Sequence, residues 1–214
     1  MSAVPRPARR AVALAAGVAL ACTGSSARAD DDDDGAYGRL AGDLTLAVGV
    51  GSALGRGGPS LFAELDARYL DTAGVWLAFA DGLGSDERVF DRSLAVGLEA
   101  SPLFLGRFAR GLEQGPATLD LTLDSLAVGV GAFWATPDRS EGPGLELRLG
   151  FDVPLIGRAS GPWIGARGAL RLRGTDLAGR ADDGTGAGSY AGLVVAWHQV
   201  VGAHLVDAAD RKRP

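Results

Sequence analysis

Two histidines, one cysteine and a set of spaced carboxylates and arginines are the residues of this chain with chemistry to offer. A serine nucleophile needs a base within hydrogen-bond reach, and His198 and His204, both in the C-terminal segment, are the two imidazoles available. His198 is followed by Gln199 and Val200, so no serine stands close behind it, and a structural or rim histidine is the simpler reading. No His/Asp cluster at metal-ligand spacing, no phosphate loop and no paired catalytic carboxylates emerge; Asp86-Glu87 and Asp182-Asp183 read as solvated loop charges. The expectation is no catalytic residue, no metal and no cofactor. The run Asp30 to Asp34 could collect Ca²⁺, but nothing holds its oxygens in a cage, and five adjacent like charges read as a solvated leader. What remains is Asp43, Glu64, Asp66, Arg68, Glu99, Glu146, Arg148, Asp152, Arg167 and Arg171, each set within a run of alternating polarity. Their chemistry is mutual neutralisation, a salt-bridge network, and they are useful only if some element turns them all to one side.

That element is a strand. From Leu145 the chain runs Leu145, Leu147, Leu149, Phe151, Val153, Leu155, with Glu146, Arg148, Gly150, Asp152 and Pro154 between, the period at which side chains alternate between two faces. The pattern returns about eight times. A first strand is expected over 40–51, a second over 60–70, a third over 75–80 and a fourth around Phe90 to Glu99. A fifth joins Leu119, Leu121 and Leu123 to Leu126, Val128 and Val130, and its change of parity asks for a bulge near Asp124 and Ser125. The sixth is the run above. In the seventh Ile164, Ala166, Leu170 and Leu172 oppose Trp163, Gly165, Arg167, Arg171 and Arg173. In the eighth, over 190–201, Leu193, Val195 and Trp197 oppose Tyr190, Gly192 and Val194. Trp76, Trp134, Trp163 and Trp197 lie near the ends of oily runs, where they serve either as interfacial girdles or as ordinary core.

The first residues read as an address. Arg6, Arg9 and Arg10 precede an apolar stretch from Ala11 to Ala21, and Ala27-Arg28-Ala29 is a small-x-small cleavage site, so residues 1–29 are expected to be a signal peptide and 30–37 an acidic disordered leader. Cys22 offers a rival in which it is lipidated, but a lipoprotein signal usually carries Leu three residues earlier and here Ala19 stands there. Cleavage after Ala29 removes the cysteine and four arginines from a chain whose formal charge is already −5, which makes nucleic acid an unsuitable partner. Residues 38–201 form one domain, followed by a tail over 202–214 that ends Arg211-Lys212-Arg213-Pro214.

Connection lengths are a second signal. The turns after the second and sixth strands are short, and the loops after the third, fifth and seventh are longer, polar and rich in Gly and Asp. One short-side connection, 102–116, is long. Ser101 as N-cap, Pro102 at the first turn and Gly115 at the end suggest a helix over 102–113 with Phe104, Leu105, Phe108 and Leu112 on one face and Arg107 and Arg110 away from it. It is read either as an interfacial helix or plug, or as an irregular loop covering that end.

Alternation alone does not say which face points inward. The second face is mostly Gly, Ala and Ser with isolated charges, where a water-facing sheet would carry Lys, Glu, Gln and Thr freely, and small residues with a few paired charges suit a narrow lumen. The expected fold is an all-β, closed antiparallel up-and-down transmembrane barrel of about eight strands. Over roughly residues 38–201 the chain resembles the small eight-stranded outer-membrane β-barrel proteins of Gram-negative bacteria. Tyr190, Gly192, Val195 and Trp197 look like the C-terminal insertion signal of such proteins, although the chain continues beyond the aromatic. The resemblance implies outer-membrane lipid and lipopolysaccharide as surroundings, and the barrel assembly machinery as a partner during insertion. Small barrels include lipid A deacylases and palmitoyltransferases, but the deacylase pattern of a Ser two residues after its His fails at His198. The expected function is a non-enzymatic structural or surface component with a filled polar lumen. The rivals are a secreted lipocalin-like or β-sandwich binding module and a lipid A-modifying barrel enzyme.

Overall fold

A computed structural model describes residues 36–40, 42–55, 58–83, 92–112, 115–136, 143–174 and 187–203. The expected signal peptide, the Asp30 to Asp34 run, Phe90, Asp86-Glu87, Asp182-Asp183, His204 and the basic tail lie outside the described residues.

Eight strands form, β1 (Leu44–Gly55), β2 (Gly58–Tyr69), β3 (Ala73–Gly82), β4 (Arg92–Ala100), β5 (Ala127–Thr136), β6 (Gly144–Pro154), β7 (Gly161–Leu172) and β8 (Ala187–Val201). Each pairs antiparallel with the next, and β8 pairs back onto β1 from Leu44↔Val201 to Gly55↔Tyr190, so the sheet closes into an up-and-down barrel. Closure leaves no open edge, and the backbone groups of β1 and β8 satisfy one another.

The alternation expected from the sequence is visible as alternating burial. In β6, Glu146, Arg148, Gly150 and Asp152 are buried while Leu147, Leu149, Phe151 and Val153 are exposed. The same inversion runs round the barrel: Leu65, Val75, Leu77, Val96, Val130, Ile164, Leu170 and Val195 face outward, and Glu64, Asp66, Arg68, Glu99, Arg167 and Arg171 face the lumen. The sheet is oily outside and charged inside.

The β2–β3 turn is tight. Leu70 and Asp71 both adopt left-handed φ, 46° and 55°, and the Thr72 N–H donates to the Tyr69 carbonyl at 3.0 Å. Two successive left-handed residues match the right-handed twist of the flanking strands, which explains why β3 starts at Ala73, earlier than the hydrophobic run suggests.

The long β4–β5 connection departs most from expectation. Residues Pro102–Phe108 form helix α1, shorter than 102–113, and the chain then turns through Ala109 to Gly111. Leu119, Leu121 and Leu123 belong not to a strand but to a second helix, α2 (Ala117–Asp124), so the parity change at Asp124 and Ser125 marks the exit from a helix and no bulge is needed. A run as short as Leu-x-Leu-x-Leu fits both periods, and Pro116, with φ −58° at the N-cap, starts the helix. Leu121 packs against Ala159, Trp163 and Val200, and α2 also lies along β6. Ala36–Leu40 is a short 3-10 turn, and β1 begins at Leu44, four residues later than the expected start at Leu40.

The tryptophans divide by strand parity. Trp76 and Trp163, 1 % and 4 % exposed, point into the lumen, whereas Trp134 and Trp197, 39 % and 49 % exposed, face outward. The girdle reading therefore fails for the first pair. Trp76 fits because β4 and β5 carry glycine opposite it: a methyl carbon at Gly97, Gly129 or Gly131 would come within 2.8–2.9 Å of indole atoms. Phe62, Phe133 and Tyr190, with Ala53, Ala78, Ala95, Ala135 and Val194, pack around it and fill the lumen toward the Gly55 and Gly58 end. Gly131→Ala or Gly97→Ala should thus cost about 1–3 kcal/mol of unfolding free energy, the usual penalty of overpacking. Gly168→Ala, where an added carbon meets nothing nearer than 3.9 Å, should stay within about 0.5 kcal/mol in the same denaturant titration.

Candidate functional site

Every long polar side chain in the lumen is placed there by a strand position whose neighbours in sequence face outward. Glu64 of β2 has space because Gly49 is its partner on β1; a methyl carbon there would stand 2.9 Å from the Glu64 Cγ. From the opposite wall, Arg148 of β6 donates through Nη2 to Glu64 Oε2 at 2.6 Å. Arg167 of β7 donates through Nη2 to Glu64 Oε1 at 2.7 Å and through Nε at 3.0 Å. In a ring of eight strands β2 and β6 are four apart in either direction, so the Glu64–Arg148 pair spans the lumen. Arg167 also holds Asp152, with Nη1–Oδ1 at 2.8 Å, and Gly165 leaves the room that this pair needs. Asp66 lies in the same cluster, 3.3 Å from Arg148 Nη2, but neither of its carboxylate oxygens accepts a hydrogen bond.

Two further groups flank this centre. Arg68 donates through Nε to Glu99 Oε1 at 2.6 Å and lies 3.8 Å from Asp71 in the β2–β3 turn. Arg171 donates to Glu146 Oε2 at 2.6 Å and to the Ser93 hydroxyl at 2.8 Å, while the Tyr190 hydroxyl donates to Glu146 Oε1 at 2.9 Å. Aromatic faces complete the guanidinium surroundings: Arg148 lies 5.0 Å from the Trp76 ring centroid, and Arg171 lies 4.8 Å from Tyr190 and 5.1 Å from Phe133.

A second set of charges closes the end of the barrel where the described chain enters and leaves it. Arg39 of the 3-10 turn, 2 % exposed, donates to Asp124 Oδ2 at 2.8 Å and lies over the Phe104 ring. Arg107 joins α1 to α2 through Asp120 and through Asp124 Oδ1 at 3.0 Å. It lies away from exposed Leu105, Phe108 and Leu112, as the helical-face argument expects, whereas Phe104 leaves that face and is buried. Burial disfavours the Arg107 charge, yet the two carboxylates outweigh that and raise its pKa above the ordinary arginine value. Asp71, beside Arg68, is pushed up from the usual carboxylate range, because burial outweighs the pull of the guanidinium. The Ser125 hydroxyl accepts from the Asp152 N–H and donates to the Asp152 carbonyl, both at 2.8 Å, and ties α2 to β6.

Asp43 takes a different place from the other acids. It precedes β1, is half-buried, and its Oδ1 accepts the backbone N–H of Ala203, a clasp between the two ends of the barrel chain. Of the residues read as an insertion signal, Tyr190 and Gly192 turn inward and Val195 and Trp197 outward on β8. His198 is buried and stacked on Trp163, centroids 4.4 Å apart and planes at 15°, with no hydrogen-bond partner at Nε2. This is not the geometry of a base beside a nucleophile.

Sequence reasoning missed Ser93, Phe62 and Phe133, although strand parity puts them on the same inward files as the named charges. Arg39, Asp120 and Asp124 carried no such signal, because their elements are too short for a period to be read. Among the described residues no group of three or more His, Cys, Asp or Glu side chains is placed to hold a metal ion. Comparison with known proteins finds no matching family, no matching curated protein and no matching solved structure.

The network predicts a contrast between adjacent inward positions of β2. Glu64→Gln leaves Arg148 and Arg167 buried without their shared carboxylate, and should lower the unfolding free energy by about 3–5 kcal/mol. Asp66→Asn removes a carboxylate that accepts no hydrogen bond and should cost less than about 1 kcal/mol. Denaturant unfolding followed by tryptophan fluorescence checks both, and equal losses would contradict the assignment of Glu64 as the centre.

Proposed function

We propose that this chain is an integral outer-membrane β-barrel protein of a Gram-negative cell envelope, acting as a structural or surface-exposed component without catalytic activity. The observation that carries the reading is the inversion of burial. Charged side chains are 8 % exposed or less in the lumen ion pairs, while leucines and valines of every strand stand outside. In water that arrangement would expose the oily face and bury ions at a desolvation cost, whereas in hydrocarbon it is the arrangement of lower free energy. Strand length agrees. The strands run from nine residues in β4 to fifteen in β8, and a tilted strand needs about 9–11 residues to cross a bilayer.

Asp81 and Arg92 support a boundary. They are register partners on the outward faces of β3 and β4, paired at 3.4 Å at the end of the apolar files Val75-Leu77 and Leu94-Val96-Leu98, as charges at headgroup level would be. The lumen is occupied by ion pairs through the middle and by aromatic side chains around the Arg171–Glu146 pair at one end, which favours a scaffold over a solute pore. Export through a cleavable signal, lipid and lipopolysaccharide as surroundings, and assembly by the barrel machinery belong to this reading. A soluble lipocalin-like module would bury Leu147 and Leu193, which stand 43 % and 65 % exposed.

On a denaturing gel the protein should run in the membrane fraction and change mobility on boiling, and a supernatant protein with no heat shift would overturn the proposal. Leu149→Arg should cost about 2–4 kcal/mol in bilayers if that position lies near the midplane. A variant as stable as the parent would count against an outward, lipid-facing β6 file.

A further inference from the structure

The cap formed by α1 and α2 repeats the inversion of the barrel wall. Asp120 and Asp124 are buried, at 2 % and 0 % exposure, while Leu119 and Leu123 on the same eight-residue helix are exposed. On α1 and the turn after it, Arg107 folds inward onto those carboxylates, and Leu103, Leu105, Phe108 and Leu112 stand out. A cap built for water would have the opposite faces. The helices are not loose either, because Asp124 is gripped by both Arg39 and Arg107, Phe104 is buried under Arg39, and Leu121 is packed against Trp163.

We infer that this cap is an interfacial anchor whose apolar side chains enter the headgroup–acyl boundary of the leaflet at the end of the barrel holding Leu44 and Val201. The inference rests on the membrane reading above and adds a surface, a depth and an occupant to it. Lipid is the occupant because the apolar surface is continuous with the wall. The chain enters the cap from the outward file Leu94, Val96, Leu98 and leaves it into Val128 and Val130. The β6 file runs on past Val153 to exposed Leu155 and Ile156, in the turn against which α2 packs. At roughly 1.5 Å per residue neither helix exceeds about 12 Å, too short to span a bilayer and suited to lying along its surface. Lipid at this depth would resist sliding of the barrel along the bilayer normal, and would keep the Arg39–Asp124–Arg107 floor from water.

The test uses the full chain carrying Cys22→Ser with one new cysteine at a time, Phe108→Cys, Leu119→Cys or Leu149→Cys. Each carries an environment-sensitive fluorophore and is inserted into phosphatidylcholine vesicles whose acyl chains bear bromine either near the headgroup or near the methyl end. Labels at positions 108 and 119 should be quenched about twofold more by the shallow bromine than by the deep one, and the label at 149 more by the deep one. Quenching at 149 with none at 108 and 119 would overturn the anchor and leave the membrane reading intact, with water or a protein partner over the cap. Absence of quenching at all three positions would overturn both. Leu119→Asp together with Leu123→Asp offers a second arm: the heat-dependent gel shift should persist while shallow quenching at position 108 falls, and unchanged quenching would likewise overturn the inference.

Discussion

The contact on which the rest of this structure depends is the carboxylate of Glu64 held between the guanidinium groups of Arg148 and Arg167. It joins one wall of the barrel to the opposite one, and such a contact exists only when β8 has closed onto β1. Isolated in a medium of low dielectric, any of these ions would be costly to bury, so the cost is tolerable only in the closed ring where all of them meet partners. Buried ion pairs of this kind add little net stability against an apolar core of the same volume. What they supply is a penalty on every arrangement that is not closed and in register: a one-residue slip of β2 would turn Glu64, Asp66 and Arg68 outward together.

The small residues are the other half of that constraint. A ring of eight strands leaves a lumen that side chains can just fill, so each large inward group needs a small one opposite. Gly49 faces Glu64, Gly165 makes way for Asp152 and Arg167, and Gly97, Gly129 and Gly131 accept the Trp76 indole. The composition of the inward face, small residues punctuated by a few very large or charged ones, is thus a packing solution rather than a lack of content. Polar groups fill the middle and the capped end, while the other end is aromatic and apolar around the single Arg171–Glu146 pair. A lumen so divided holds its walls together and offers a solute little room.

The capped end extends the same physics beyond the strands. Arg39, Asp120, Asp124 and Arg107 turn their charges toward one another and the barrel floor, and the leucines of the two helices turn away. Ser125 then links α2 to the backbone of Asp152, whose side chain belongs to the Arg167 pair, so floor and lumen network form one connected set of polar contacts.

The amino-acid sequence by itself determined the strands that alternate over ten residues or so, and with them the two faces. The period-two pattern of Leu145 to Leu155 reads only one way, and the small, sparsely charged second face indicates which side turns inward. It did not determine the Leu119 to Leu123 segment, where three alternating leucines fit a strand and a helix equally well and burial of Leu121 against Trp163 supports the helix. Nor did it assign Trp76 to the lumen, although parity with Val75 and Leu77 would have done so. Which acid meets which arginine was decided by the tertiary structure alone. Partners such as Glu64 and Arg167 lie more than a hundred residues apart, and no local spacing encodes a contact that arises only when the ring closes.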